Sequence, residues 1–295
     1  MPARTVLTDV PGIAVGHWTD TDAGTGCTVI LPPRGSMAGV DVRGGGPGSR
    51  ETEALAAAAN VREVSAILLA GGSAFGLSAA TGVMRWCERD GRGVETGAGR
   101  VPVVPSAVIF DLGVTGNAVR PGADDGFSAC EAATMGTYEQ GSVGAGTGAT
   151  VGKVRGRLGW CKGGVGSASC TLPDGTIVAA LAVVNAFGDV RDTDGTIIAG
   201  AWEHDGFVDA SVHLRTRAPE HPRLAGQHTT LAVVATDAAL NRQEATQVAR
   251  MAQAGLCRAV VPANTLLDGD VVFAIGTGVR PSSVFLCGTV AAARK

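Results

Sequence analysis

Apolar and polar positions along this chain alternate in two rhythms, and the switches between them mark out its elements. Residues 27–31 and 64–70 are short apolar runs, which predicts two buried strands. Between them Ser49 precedes a stretch with Glu51, Thr52 and Glu53 in its first turn, which predicts a capped helix over 50–61. Leu77, Ala80, Val83, Met84 and Cys87 recur at helical spacing and predict a helix over 76–90. Residues 101–110, broken by Pro102 and Pro105, read as extended, and alanine-rich 127–135 as a short helix. Residues 165–172 and 176–184 read as two strands joined by the turn Pro173-Asp174-Gly175. Polar 189–221 reads as a surface excursion between apolar strands, and the polar segment 189–228 is the only candidate boundary in the chain. A strand at 229–235, a helix over 241–254 and a strand at 271–275 follow, while 282–293 fits a helix or a strand. The alternation predicts a single domain over 1–295, of mixed α/β class, with helices covering sheets.

One seam in this pattern carries chemistry. Gly226-Gln227-His228-Thr229-Thr230 is a polar loop running straight into the apolar strand Leu231-Ala232-Val233-Val234-Ala235. A threonine there is ordinary strand filler, or a latent nucleophile if the chain is cut just before it. A freed Thr229 would hold a hydroxyl and its own amine base in one residue.

Composition narrows the remaining classes. The chain has 295 residues, 45% of them hydrophobic and 17% charged, which is globular. A net charge of −3 with no basic block leaves nucleic-acid binding without an electrostatic footprint. No apolar run reaches the roughly 18 residues that would span a bilayer, and residues 1–18 lack the apolar core of a signal peptide. Seven cysteines at irregular spacing form no CxxC pair, so the expected home is a reducing cytoplasm, with no structural zinc.

Familiar site motifs fail on inspection. The glycine-rich stretch 144–153 has Thr147 where a phosphate loop requires glycine, and Val154 where it requires Ser or Thr. GxGxxG and GxSxG are absent. The five histidines lack HExxH spacing and mostly fall in polar stretches, so no metal and no cofactor are expected.

Four other residues stand out. Lys153 is one of only three lysines, and it is either a solvated loop residue or a tunable amine. Asn185 ends an apolar run, as a turn former or as a donor aimed at an oxyanion. Asp268 and Asp270 flank Gly269 in what is either a hairpin turn or, if extended, a pair of carboxylates on one face. Such a pair can hold a protonated amine and set its pKa.

The order Lys153, Asn185, Thr229, Asp268-Gly269-Asp270 resembles the family of L-aminopeptidase/D-esterases, β-peptidyl aminopeptidases and nylon-oligomer hydrolases. The likeness runs nearly the whole chain. It takes in Gly12-Ile13-Ala14-Val15-Gly16-His17, Asp41-Val42-Arg43-Gly44-Gly45, Leu69-Ala70-Gly71-Gly72-Ser73 and Val233-Val234-Ala235-Thr236-Asp237. The resemblance implies an αββα sandwich and a precursor that cuts itself between His228 and Thr229 into fragments 1–228 and 229–295. It further implies Thr229 as nucleophile, Lys153 and Asn185 beside it, and Asp268 and Asp270 orienting it. Hydrolysis of a small peptide or amide by a homo-oligomer, tetrameric or larger, is also implied. His228 stands where relatives usually have Asn or Gly, and Phe110 where a substrate-pocket tyrosine aligns. The alternatives are an acyltransferase like the ornithine acetyltransferases, or a silent scaffold of the same fold.

Overall fold

The computed structural model of the chain describes residues 5–293 except 57, 62, 117, 205, 218–226, 282 and 283. Ten strands build two five-stranded sheets. They are β1 (Ala14–Asp20), β2 (Thr25–Leu31), β3 (Met37–Val42), β4 (Ser49–Arg50), β5 (Ile67–Ala70) and β6 (Ser106–Val108), then β7 (Gly164–Thr171), β8 (Ile177–Asn185), β9 (Thr229–Ala238) and β10 (Val271–Arg280). The first sheet runs β1-β2-β5-β6-β4 and the second β7-β8-β9-β10-β3. Within the second sheet β7, β8 and β9 are antiparallel neighbours, β9 and β10 are parallel, and β3 closes the edge antiparallel.

The strand period decides how the layers stack. In β9, Leu231, Val233 and Ala235 face one way, and they pack with Leu181, Val183, Phe273 and Ile275 against Val15, Ile30, Leu69 and Ile109 of the first sheet. The opposite face of the second sheet, with Val178, Val234, Val272 and Ala274, is covered by α4 (Arg242–Ala259) through Ala245, Val248 and Ala249, and by Cys287 of α5 (Val284–Ala293). The outer face of the first sheet, with Val29, Leu68 and Val108, meets α1 (Ala79–Arg89) and α2 (Ala123–Glu131). The four layers are helix, sheet, sheet, helix: the αββα sandwich. The two outer helices of the first sheet touch backbone to backbone. A Cβ at Gly82 would lie 1.6 Å from the Ala123 carbonyl oxygen, so that crossing requires glycine.

Several sequence expectations are corrected. Among the described residues of 50–61 no α-helix forms. Ser49–Arg50 instead pairs with β6, Glu51 takes a left-handed φ of 56°, and its carboxylate accepts from Val104 N at 2.7 Å. Only the short 3-10 turn Thr52–Leu55 remains, because sheet pairing outweighs the local helix signal. The helix expected at 127–135 starts earlier, at Ala123, where Asp125 accepts from Gly122 N at 2.8 Å. It stops at Glu131, and Thr134 then bridges to Val15. Residues 282 and 283 of the ambiguous C-terminal stretch lie outside the described residues, and 284–293 is helical.

The polar stretch 189–221 is not a bare excursion. It folds into short strands, including Asp189–Arg191, Ile197–Ala199 and Ala201–Glu203, and the helix α3 (Ala210–Thr216). Asp189 is buried there and accepts from Ala201 N at 3.1 Å and Ala210 N at 2.6 Å, which pins the segment. Residues 218–221 lie outside the described residues. Among the described residues no helix is long and apolar enough to cross a membrane.

Phe273 sits fully buried at the centre of the interface between the sheets. Phe273→Ala is expected to cost about 3–5 kcal/mol, read as a lower denaturant midpoint in equilibrium unfolding. A midpoint within error of the parent would show that the inter-sheet layer does not hold the fold.

Candidate active site

The register of the second sheet brings the predicted residues together. Asn185, the last residue of β8, lies directly opposite Thr229, the first of β9. β10 runs parallel to β9, and the chain entering it carries Asp268-Gly269-Asp270 past the same end of the sheet. Three strand ends therefore meet at one edge, and Asn185, Thr229, Asp268 and Asp270 are buried there with Lys153.

Asn185 is neither a turn former nor solvent-facing. Its Oδ1 accepts from Lys153 Nζ at 2.7 Å and from Thr150 N at 3.1 Å, and its amide nitrogen donates to the Phe110 carbonyl at 3.1 Å. Lys153 Nζ also donates to the Asn185 carbonyl at 3.0 Å. The glycine-rich stretch delivers this lysine because Gly152 N and Lys153 N donate to the carbonyls of Gly188 and Phe187, just past the end of β8. Lys153 is thus a buried amine, not a solvated loop residue. Burial lowers its pKa to about 7, against the opposing pull of Asp268 and Asp111.

The segment leading into Thr229 is held as tightly. His228 forms a parallel bridge with Asp268, and Gly269 N donates to the His228 carbonyl at 2.7 Å. The Thr229 hydroxyl reaches the same carbonyl oxygen at 2.5 Å. A Cβ at Gly269 would fall 2.5 Å from the Gly46 carbonyl oxygen and 2.9 Å from Thr229 Oγ1, so only glycine fits. The imidazole of His228 stacks obliquely on Phe187 at 5.2 Å, and among the described residues neither ring nitrogen has a partner. Burial, then the Lys153 charge, lowers its pKa to about 3, so the ring is neutral.

The 268–270 segment is not a hairpin turn. Asp268 Oδ2 accepts from the Thr265 hydroxyl at 2.6 Å and from Thr265 N at 3.1 Å, and Oδ1 faces Phe187 N at 3.4 Å. Asp270 accepts from Thr230 N at 2.5 Å and Asn264 N at 2.8 Å. Burial, then the neighbouring Asp268, pushes Asp270 up to about 7; burial also raises Asp268. The run Arg43 to Gly46 braces the pair from β3, since Arg43 N, Gly45 N and Gly46 N donate to the carbonyls of Asp270, Thr265 and Asp268.

A cavity of about 80 Å³ opens beside this edge. Phe110, Leu112, Val114 and Trp160 wall it, Lys153 and Arg157 bring charge, and Gln227 and His228 line it from the side of the 228–229 peptide. Asp111, next to Phe110, was not singled out from the sequence. It is buried, accepts from Gly72 N at 2.6 Å and the Thr25 hydroxyl at 2.7 Å, and its pKa is raised by burial. Gly269 and the Gly44–Gly46 brace were likewise not singled out as site residues, although Gly269 and Gly44-Gly45 stand inside the family-like motifs. Two other family-like motifs lie elsewhere. Asp237 ties Arg280 and Ile177 N at the far end of β9, and His17 bonds Thr28 in the first sheet. The expectation that most histidines lie in polar loops also fails, because His17 is in β1, His213 is buried in α3 and His228 is buried in the site. His221 lies outside the described residues. Among the described residues no cluster of His, Cys, Asp and Glu is arranged to hold a metal ion.

Comparison with known proteins agrees with this architecture. The sequence profile of peptidase family S58 matches residues 5–293. An uncharacterized aminopeptidase of Mycobacterium leprae is 47% identical over 295 residues, covering 92% of this chain and 78% of the relative. A 6-aminohexanoate-oligomer endohydrolase of Kocuria sp. is 33% identical over 284 residues, covering 93% of this chain and 75% of that protein. Among solved structures, a Burkholderia sp. beta-aminopeptidase superposes with a TM-score of 0.67 at 24% identity, over 99% of this chain and 85% of that one. The L-aminopeptidase D-Ala-esterase/amidase of Ochrobactrum anthropi, described as a variant of the Ntn hydrolase fold, gives 0.68 at 20% identity, over 94% and 76%. From profile, relatives and fold together, this chain is a member of peptidase family S58, a family of aminopeptidase and amide hydrolases.

Proposed function

We propose that the chain cleaves its own 228–229 peptide bond and that the freed Thr229 is the nucleophile of an amide hydrolase acting on small peptides or amides. The observation that carries the reading is the geometry at the scissile carbonyl. The Thr229 hydroxyl lies 2.5 Å from the His228 carbonyl oxygen, and the Gly269 N–H polarises that oxygen from 2.7 Å. Among the described residues the buried imidazole of His228 has no hydrogen-bond partner, a local cost of order 1–3 kcal/mol per unsatisfied group that release of the segment relieves.

In the first stage the Thr229 oxygen bonds to the His228 carbonyl carbon, the C–N bond breaks, and the hydroxyl proton ends on the departing nitrogen. Water then hydrolyses the resulting ester. His228 becomes a C-terminal carboxylate, and Thr229 keeps its hydroxyl and gains a free amine. The proton is relayed by Lys153, the amine held on Thr229's cross-strand partner Asn185. In the second stage the Thr229 amine, titrating near 7.7–8.0 when unperturbed, takes the proton from its own hydroxyl. The substrate carbonyl is attacked, and the leaving amine departs. The Lys153–Asn185 pair meets the developing oxyanion, while Asp268 and Asp270 hold the new amine. A donor of this kind is worth about 2.7–4 kcal/mol of barrier.

The rest of the reading follows the family. The fragments 1–228 and 229–295 stay together as one hydrolase domain in a homo-oligomer, tetrameric or larger, in the cytoplasm, where the seven free cysteines suit a reducing medium.

Intact-mass measurement of purified protein is expected to give two fragments, the smaller beginning with threonine. Thr229→Ala should remain full length and inactive; a full-length Thr229→Ala protein that still hydrolyses amides refutes the nucleophile. Lys153 titrates at about 7 because burial disfavours its charged form, so it is protonated below that pH and neutral above it. The rate of self-cleavage should therefore rise as pH increases through about 7 and flatten beyond it, followed by densitometry of newly refolded chain. Lys153→Met should slow cleavage by about 10²–10⁴-fold and abolish that rise. A Lys153→Met protein that keeps the parent's pH profile would remove lysine from the proton path.

A further inference from the structure

A buried carboxylate beside this edge has no part in the steps above. Asp111 follows Phe110, and its oxygens accept from Gly72 N at 2.6 Å and from the Thr25 hydroxyl at 2.7 Å. Two glycines make room for it. A Cβ at Gly71 would fall 2.0 Å from Asp111 Oδ2, and one at Gly148 would fall 2.5 Å from the Asp111 Cβ. Asp111 therefore packs against the glycine-rich stretch that continues into Thr150 and Lys153. The carbonyl of its neighbour Phe110 accepts from the Asn185 amide nitrogen at 3.1 Å. That bond decides which end of the Asn185 amide is turned to the lysine. With the nitrogen on Phe110, the oxygen faces Lys153 Nζ and Thr150 N.

The hydrogen bonds of Asp111 do not explain why this group is an acid. An asparagine of the same shape would accept from Gly72 N with its oxygen and donate to the Thr25 hydroxyl with its nitrogen. A carboxylate in this position costs more, because burial disfavours its charged form. What asparagine lacks is the negative charge, and that charge meets two cations. Lys162 Nζ is held by the carbonyls of Thr147 and Ala149, at 2.5 and 3.3 Å, on the same glycine-rich stretch. Asp111 attracts this ammonium, and it attracts Lys153 as well. Among the described residues the other groups facing Lys153 are Asp268, which also attracts it, the neutral His228 ring and Arg157, which lines the same cavity. Asp270 acts on Asp268 in turn.

We infer that Asp111 is a positioning residue of this site, a buried counter-charge that keeps the Lys153 amine seated on Asn185 and able to hold a proton in transit. A relay has to take a proton and give it back, and an amine governed by burial alone would give it up too early in the pH range. Asp111 does not line the cavity, so it acts through Lys153 and Asn185 and not on a substrate. The inference rests on the self-cleavage reading above and adds to it a residue outside the five already placed there.

Asp111→Asn tests it, because the variant loses the charge and keeps both hydrogen-bond partners. In newly refolded chain, the pH midpoint at which self-cleavage rises is expected to fall by about half a unit or more on loss of this opposite charge. At about pH 6 the variant's rate, relative to its own plateau, should then exceed the parent's by about threefold. Asp111→Ser, smaller and equally uncharged, should move the midpoint the same way and decides the matter if Asp111→Asn shows no cooperative unfolding transition. A midpoint equal to the parent's, or higher, overturns the inference while leaving Lys153 in the proton path. If neither variant refolds, Asp111 serves the fold and the positioning role is overturned. A parent chain that does not cut itself, or cuts at a rate independent of pH, removes the self-cleavage reading and this inference with it.

Discussion

The site depends on the register of one antiparallel pair. β8 and β9 are locked residue for residue from Val178 opposite Thr236 to Asn185 opposite Thr229. A slip of one residue would turn Leu231 and Val233 out of the inter-sheet core and bring polar side chains into it. The apolar alternation that holds the sheets together therefore also fixes Asn185 beside Thr229. The cluster needs no separate scaffold, because it sits where the strands end.

Around that edge the protein keeps several charged groups out of water. Lys153 is lowered to about 7 and Asp270 raised to about 7, each mainly by burial. Both therefore change charge near neutrality, although neither would do so in water. An isolated buried charge is expensive, so each group is surrounded by directed donors or acceptors. Asn185 and its carbonyl receive the lysine, and backbone N–H groups from 230 and 264 receive Asp270. The glycines near the site serve the same purpose. Gly269 lets its N–H reach the His228 carbonyl, and Gly44–Gly46 lets β3 brace the acidic loop at backbone distance.

The cavity gives the edge a direction. One side of the 228–229 bond is strand, continuous with the core. The other is a short segment lying against apolar walls with two cations. At the cavity's mouth the Arg157 guanidinium lies over the Trp160 ring.

Several strands were legible from the sequence because they depend on a local period, whereas β1, β3 and β4 were not. Residues 27–31, 165–172, 176–184, 229–235 and 271–275 all emerge as strands at close to the expected bounds. The candidate residues Lys153, Asn185, Thr229, Asp268 and Asp270 were legible as a linear order, and the structure gathers them at one edge. Their environment was not legible. Whether Lys153 is solvated, Asn185 a turn former or Asp268-Gly269-Asp270 a hairpin turn depends on what lies across the sheet, which no local pattern contains. The same limit explains the missing helix at 50–61, where pairing with β6 outweighed good helix-start residues, and the folded 189–217, pinned by the single buried Asp189. Sequence alone set the period of the strands and the inventory of reactive groups. Tertiary structure decided their register, burial and partners, because those depend on contacts between residues far apart in the chain.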